Sequence, residues 1–290
     1  MSVVTVLTVT PNRLEMLWRY LCYLGNKPVP QEELCLTLSP PALRKNQDKG
    51  GIVKEVVKAA SDLQLVVLED DSVRLSPGVP TNPSGDLRHW LESTLLDPVS
   101  ANARGQRNIP LAIAWLLEQD PARPLFFSAN LAKDIRDWFG RDEDLDLTNA
   151  ARLQQLAYWA KYMGYAWMLG VGEQQRIVPD PTAAIARHLP ALLPKNHSVP
   201  IEQMLATWKE VCPVLESGAA REALLRQRVS PPGRSARDLS ASTSLALTRL
   251  RERGLLEFEQ HADAEPFLFL PDRGRYSHVR LKQIDDDRES

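Results

Sequence analysis

Residues 239–270 read LSASTSLALTRLRERGLLEFEQHADAEPFLFL, and this stretch carries the signals that predict the fold class. Its opening run of small hydroxyl residues is suited to cap a helix, and Leu247 and Leu250 follow on one helical face. Gly254 stands at the next place on that face, where a left-handed residue commonly ends a helix. Over 256–269 the period changes to an alternation of apolar and polar residues. The stretch therefore predicts a helix, a tight stop and a two-stranded hairpin.

The same pattern recurs twice earlier in the chain. When Gly254 is aligned with Gly164 and Gln64, the fourth and seventh positions before them are apolar in every copy, as are the second and fourth positions after them. Each copy then has a candidate return strand, at 72–75, 175–178 and 266–270. Spacings of 90 and 100 residues match whole-domain repeats rather than solenoid units. We therefore expect a mainly α fold with small β-hairpins, built of tandem winged helix-turn-helix domains.

Proline-rich stretches separate the periodic segments and suggest where one unit gives way to the next. They place a first winged-helix domain at 1–78, a helical region with a second winged-helix domain at 86–194, and a third at 199–282. Residues 283–290 form an acidic tail. Within the first unit, the β-branched residues of 3–9 predict a short strand before the first helix.

Composition excludes some function classes. The chain has 290 residues, of which 43% are hydrophobic and 25% charged, and its net charge of -2 argues against a protein that coats DNA nonspecifically. The three cysteines are widely spaced, which indicates reduced thiols. Since no apolar run approaches the roughly twenty residues that span a bilayer, we expect a cytoplasmic protein with no membrane partner.

Known catalytic motifs are absent from the sequence, so we predict a protein that is not an enzyme and has no cofactor and no metal. It lacks a phosphate-binding loop, a dinucleotide fingerprint and a nucleophile elbow. The five histidines are interpreted as isolated surface or capping residues without a carboxylate at ligand spacing. The acidic run 142–146 lacks the glycine and glutamate of an EF-hand loop, and the acidic turn 69–71 lacks the lysine of a metal-dependent nuclease.

The expected DNA contacts lie in the last unit, where residues 219–282 hold twelve Lys plus Arg against eight Asp plus Glu. Arg249 and Arg253 share one face of the helix before Gly254, while Arg251 projects to another side. Two further arginines on the hairpin are expected to reach the adjacent phosphate backbone, and three hydroxyl residues cap the helix. The full candidate set is Ser242, Thr243, Ser244, Arg249, Arg251, Arg253, Arg273 and Arg275.

Two other patterns favour different roles. The acidic turn 69–71 would repel phosphate, which indicates that the first unit binds protein rather than DNA. Tyrosines and tryptophans are concentrated over 158–167 with few bases beside them, so core packing is favoured over a base-stacking platform. A solvated basic face on a protein-binding scaffold therefore stands beside the DNA-binding interpretation of the last unit.

The opening LTVTPNR at 7–13, the LSPP break at 38–41 and the overall length resemble accessory winged-helix proteins of bacterial defence and DNA-modification gene clusters. Among these are the DpdG-like proteins of 7-deazaguanine DNA modification systems. The resemblance covers the whole chain and implies a non-catalytic adaptor of an anti-phage defence or DNA-modification system. Its expected partners are double-stranded DNA and the protein subunits of a larger complex. A transcriptional regulator and a purely protein-binding scaffold are the alternatives.

Overall fold

The computed structural model describes seven long stretches of the chain and a few single positions between them. Those stretches are 2–43, 50–82, 87–128, 149–194, 197–227, 237–269 and 274–282. About half of the chain is helical and the sheets are small and antiparallel, which confirms the predicted mainly α fold with small β-hairpins. Arg273, the run 142–146 and the tail 283–290 lie outside the described residues.

The first sheet and its helices fill residues 11–75. Helix α1 (Pro11–Tyr23) is followed by strand β1 (Val29–Pro30), α2 (Gln31–Leu38), a 3-10 turn (Pro41–Leu43), α3 (Gly51–Asp62), β2 (Val66–Glu69) and β3 (Ser72–Leu75). The strand order is β1-β3-β2, so the last strand lies in the middle. Apolar residues at helical spacing bury one side of α1 against this sheet, namely Leu14, Leu17, Trp18 and Leu21.

The second sheet repeats this order in the middle of the chain. Helices α4 (Leu87–Leu95), α5 (Pro98–Ala103) and α6 (Asn108–Leu117) precede β4 (Leu125–Phe126), α7 (Ala150–Met163), β5 (Ala166–Leu169) and β6 (Arg176–Pro179). The strand order β4-β6-β5 again puts the last strand in the centre. Asn149 caps α7, since its side chain accepts a hydrogen bond from the backbone N–H of Arg152 at 3.0 Å.

The third sheet differs from the predicted hairpin. Helix α8 (Thr182–Leu192) leads into β7 (Ser198–Pro200), α9 (Ile201–Val211), α10 (Ala219–Gln227), α11 (Ala241–Glu252), β8 (Leu256–Glu259), β9 (Phe267–Phe269), β10 (Gly274–Tyr276) and β11 (His278–Leu281). Strand β8 pairs with β11 in the order β7-β11-β8, whereas β9 pairs with β10 and forms an isolated parallel bridge from Leu268 to Asp238. The predicted pairing of β8 with the 267–269 strand is therefore wrong. The rings of Phe258 on β8 and Phe269 on β9 instead pack edge to face, with ring centroids 5.0 Å apart.

The aligned positions of the three repeats share one backbone conformation. Gln64, Gly164 and Gly254 have φ values of +60°, +84° and +74°, and a strand begins two residues after each of them. The residue between donates its backbone N–H to the carbonyl five positions earlier, from Leu65 to Ala60, Tyr165 to Ala160 and Leu255 to Leu250 (2.8, 2.8 and 2.9 Å). This is the hydrogen bond of a Schellman helix stop. The structure therefore confirms that the helix-stop-strand pattern occurs three times.

The units share one continuous core. Residues 3–9 form turns and not the predicted strand, because the buried amide of Gln155 on α7 holds their carbonyls. Its Nε2 donates to Val9 O at 2.5 Å, Val3 O at 3.3 Å and Val6 O at 3.4 Å. Helix α8, which the sequence assigned to the second region, packs on α9 and α11 of the last unit. Across the described stretches, no helix is both long and apolar enough to traverse a bilayer.

Candidate functional site

The three hydroxyl residues expected to contact DNA are buried instead. Ser242, Thr243 and Ser244 are 0%, 1% and 0% exposed. The Oγ of Ser242 donates to the carbonyl of Leu117 at the end of α6 at 2.5 Å, and Ser240 caps the helix by accepting from the Thr243 N–H at 3.2 Å. A helix start rich in hydroxyl residues predicts an exposed helix cap, but here it packs against another helix. These three side chains are therefore not accessible to DNA.

The arginines of α11 are not presented together. Arg249 forms an ion pair with the buried Asp180, and the Nη1 of Arg251 donates to the hydroxyl of Tyr276 at 2.5 Å. Arg253 and Arg275 are exposed, and Arg273 lies outside the described residues. Two of the five predicted arginines are thus held by contacts inside the protein. The structure leaves α11 mainly as a packing helix between α8 and the last sheet.

A cleft of about 640 Å³ elsewhere collects positive charge and aromatic rings. Its cationic side chains are Arg88, Lys161 and Arg187, and its rings are Tyr158 and Tyr162. Among the described residues that line this basic cleft, none is an aspartate or a glutamate. An anionic group of a ligand is therefore the species that this surface would attract.

Three helices and one helix start position these side chains. Tyr158, Lys161 and Tyr162 share a face of α7 at helical spacing, and the Arg88 guanidinium of α4 lies 5.2 Å from the Tyr162 ring centroid. The start of α1 also lines the cleft, at Thr10–Asn12, and no side chain caps it. Pro11 has no backbone N–H and the Arg13 N–H already bonds the Thr10 carbonyl, so this helix start contributes mainly the positive end of the helix dipole. The sequence showed the α7 aromatics but not Arg88, which comes from a different helix.

Arg187 forms the wall between this cleft and a second one. Its Nη2 donates to Glu92 Oε1 at 2.5 Å and to the carbonyl of Met163 at 2.6 Å. Glu92 is only 4% exposed and lines a cleft of about 670 Å³ on the other side. That second cleft is acidic, because Asp97, Glu210 and Glu222 also line it, with Lys209 as the cation among the described lining residues.

Two histidines meet Glu92 in the acidic cleft. His188 Nε2 lies 3.1 Å from Glu92 Oε2, and the exposed ring of His89 lies with its centroid 5.7 Å from that of His188. The interpretation of these histidines as isolated is wrong. His89 and Glu92 stand three apart on α4, a spacing visible in the sequence, whereas His188 reaches them from α8 through the tertiary fold.

The groups behind this cluster are neutral. Burial and, to a lesser extent, the nearby Glu92 carboxylate raise the pKa of the Cys212 thiol to about 12. Burial also raises the pKa of the Tyr165 hydroxyl well above its ordinary value. Near neutral pH both groups therefore keep their protons.

The comparisons with known proteins give the family. A family model described as DpdG-like matches residues 1–264. The chain belongs to the DpdG-like family. Membership of this family links the protein to DNA modification. No curated protein and no solved structure matches the chain.

In this DpdG-like chain the residues predicted from the sequence to contact DNA lie mainly on α11, whereas the basic cleft lies on another helix. The basic cleft is built on α7, which occupies the same place in the second repeat as α11 in the third. The excess of Lys and Arg favoured the last unit as the DNA-binding surface. A count of charges cannot show which arginines form ion pairs within the fold. The pattern of tyrosines around Lys161 was the available signal.

Proposed function

We propose that this protein is a non-catalytic, DNA-binding adaptor of a bacterial anti-phage or DNA-modification system, and that the basic cleft contacts DNA phosphates. The observation that carries the proposal is the convergence of Arg88, Lys161 and Arg187 on one cleft whose described lining residues include no carboxylate. Membership of the DpdG-like family supplies the link to DNA modification.

The repeated topology supports tandem winged helices as the framework of this adaptor. In the first and third units a helix, a strand, two main helices and two strands follow one another, with the last strand central in the three-stranded sheet. The third unit adds α10 and the β9–β10 pair to this plan. Helix-turn-helix proteins use the helix before the hairpin for recognition. Helix α7 holds that place in the second unit, and it carries Tyr158, Lys161 and Tyr162.

The side chains suit phosphate better than base edges. Arginine offers a planar fork of donors, lysine a compact charge, and tyrosine hydroxyls together with helix N-termini are common phosphate donors. A cleft of about 640 Å³ cannot enclose a duplex, so it would receive phosphates of the backbone. Arg187 is already bonded to Glu92, so Lys161 is a stronger candidate than Arg187 for direct contact.

A protein-binding scaffold is the second candidate, and the hairpin of the first unit favours it. Glu69 ends β2, Asp70 and Asp71 form the turn to β3, and all three are exposed, although Glu69 also pairs with Arg74 at 3.3 Å. Three adjacent carboxylates repel phosphate and suit a basic protein surface. The two functions are compatible, because the residues of this acidic turn do not line the basic cleft.

The test measures binding of a short DNA duplex by fluorescence anisotropy between about 50 and about 200 mM salt. We expect Lys161→Ala and Arg88→Ala to weaken binding equally across DNA sequences, and each to lower the salt slope by about 1. Lys209→Ala is the matched control, because it removes the same charge from the acidic cleft.

The Arg253→Ala/Arg275→Ala double variant separates the basic cleft from the surface that the sequence predicted. If this variant loses binding while Lys161→Ala retains it, the contact lies on the last unit and the cleft proposal fails. Absence of duplex binding at low salt would leave the scaffold function.

A further inference from the structure

We propose that His89, Glu92 and His188 form a mononuclear site for a divalent transition metal, with zinc as the expected ion. Each residue offers one ligand atom, and the three atoms all lie within 4.8 Å of one another. Two imidazoles and one carboxylate are a ligand set that proteins use for zinc and for related first-row metals. The proposal does not depend on DNA binding by the basic cleft.

The spacing of the two buried ligands already fits a metal. In a tetrahedral zinc site with bonds of about 2.0 to 2.1 Å, two ligand atoms are about 3.3 Å apart. His188 Nε2 and Glu92 Oε2 are 3.1 Å apart, so an ion could replace the proton between them with little movement. His89 is exposed, and its side chain can therefore rotate towards the ion without disturbing the core.

A hydrogen bond orients the Glu92 carboxylate, as is common for carboxylates that bind metal ions. Its Oε1 accepts from Arg187 at 2.5 Å, which leaves Oε2 for the ion. Hydrogen bonds to the far oxygen of a ligating carboxylate fix its orientation and tune the site. The positive charge of Arg187 also repels a metal ion. The carboxylates of Asp97, Glu210 and Glu222 line the same cleft and offset this repulsion.

The cleft gives the ion access and open positions. Its volume of about 670 Å³ lies directly in front of the three ligands. Sites with three protein ligands keep a coordination position for water or another small ligand. This arrangement differs from a closed structural zinc site, in which four side chains surround the ion.

The competing explanation is a His188–Glu92 hydrogen bond with no metal. The full chain, stripped of metal by a chelator and dialysed, is titrated with Co²⁺, whose visible absorption reports the coordination. Zinc is then added to displace it. We expect one Co²⁺ per chain, displacement by zinc, and an affinity at least roughly tenfold weaker in His89→Ala and His188→Ala.

His89→Ala is the decisive variant, because its exposed side chain can be removed without damage to the core, which circular dichroism would verify. His261→Ala is the matched control. His261 Nε2 lies 3.2 Å from Glu259 Oε2, and a second histidine, His278, stacks on its ring at 3.7 Å. A Co²⁺ affinity that is at least roughly tenfold weaker in His89→Ala and unchanged in His261→Ala supports the site. Absence of binding, binding unchanged in His89→Ala, or binding lost in His261→Ala overturns it.

Discussion

Arg221 joins the second and third units through a buried ion-pair network, and replacing it by methionine should destabilise the protein severely. Its Nε donates to Glu118 Oε1 at 2.7 Å, at the end of α6, and its Nη1 lies 2.8 Å from Glu216 Oε2. The three side chains are 12%, 8% and 7% exposed. Glu216 also accepts the backbone N–H of Ser240, the cap of α11, at 2.7 Å. The arginine thus holds two carboxylates that position neighbouring helices.

The expected loss follows from the charges left behind. Methionine preserves much of the packing of the arginine stem but leaves Glu118 and Glu216 without their cation. Breaking a buried ion pair by removing one partner costs about 3–5 kcal/mol, chiefly because an uncompensated charge stays buried. We therefore expect Arg221→Met to lower the free energy of unfolding by about 4 kcal/mol.

Urea unfolding followed by tryptophan fluorescence and circular dichroism measures this loss. Arg226→Met is the control on the same helix, because its pair with Glu222 is 4.0 Å long with side chains 72% and 58% exposed. That variant should cost less than about 0.5 kcal/mol. Adding Glu118→Gln and Glu216→Gln to Arg221→Met should recover most of the stability, since no buried charge then remains uncompensated. A loss below about 1 kcal/mol in Arg221→Met, or an equal loss in Arg226→Met, would refute the reasoning.

Two further predictions concern buried polar groups. Gln155→Leu should lower the free energy of unfolding by about 2–3 kcal/mol, because the carbonyls of residues 3–9 lose their hydrogen-bond donor. Gln154→Leu removes one partly buried hydrogen bond to Gln175, so in the same urea assay it should lower the free energy of unfolding by less than about 1 kcal/mol. The folded pKa of Cys212, about 12, lies above its ordinary value of 9.0, so its contribution to stability is complete below pH 9.0 and is lost as pH rises towards 12. The stability difference between the wild type and Cys212→Ala should therefore shrink across that window, and a constant difference would contradict the assignment.

Local signals in the sequence were sufficient for the repeated helix stops. The alignment of Gly254 with Gly164 and Gln64 predicted three similar helix ends, and all three residues have positive φ. Such a stop depends on a few neighbouring residues, so periodicity and turn chemistry reveal it. Glutamine at one of the three positions shows that the pattern of flanking residues mattered more than the glycine itself.

Pairing and burial depend on distant parts of the chain and escaped prediction. Alternation over 256–269 indicated strands but could not show that β8 pairs with β11 beyond an inserted β9–β10 pair. The serines of α11 looked like surface caps, because the carbonyl of Leu117 that receives Ser242 lies 125 positions away in sequence. His188 and Glu92 are separated by 96 positions. The residue clusters at the candidate sites arise from such long-range contacts, which local patterns in the sequence do not show.

The guanidinium of Arg187 has one further consequence, because it borders the basic cleft while bonding the carboxylate of the acidic one. A phosphate that draws this cation towards itself leaves Glu92 less neutralised and therefore a better ligand for a metal ion. A metal ion on Glu92 in turn loosens the arginine for the phosphate. If both proposed sites bind their ligands, we therefore expect the phosphate and the metal ion to strengthen each other's binding by the same factor in both directions.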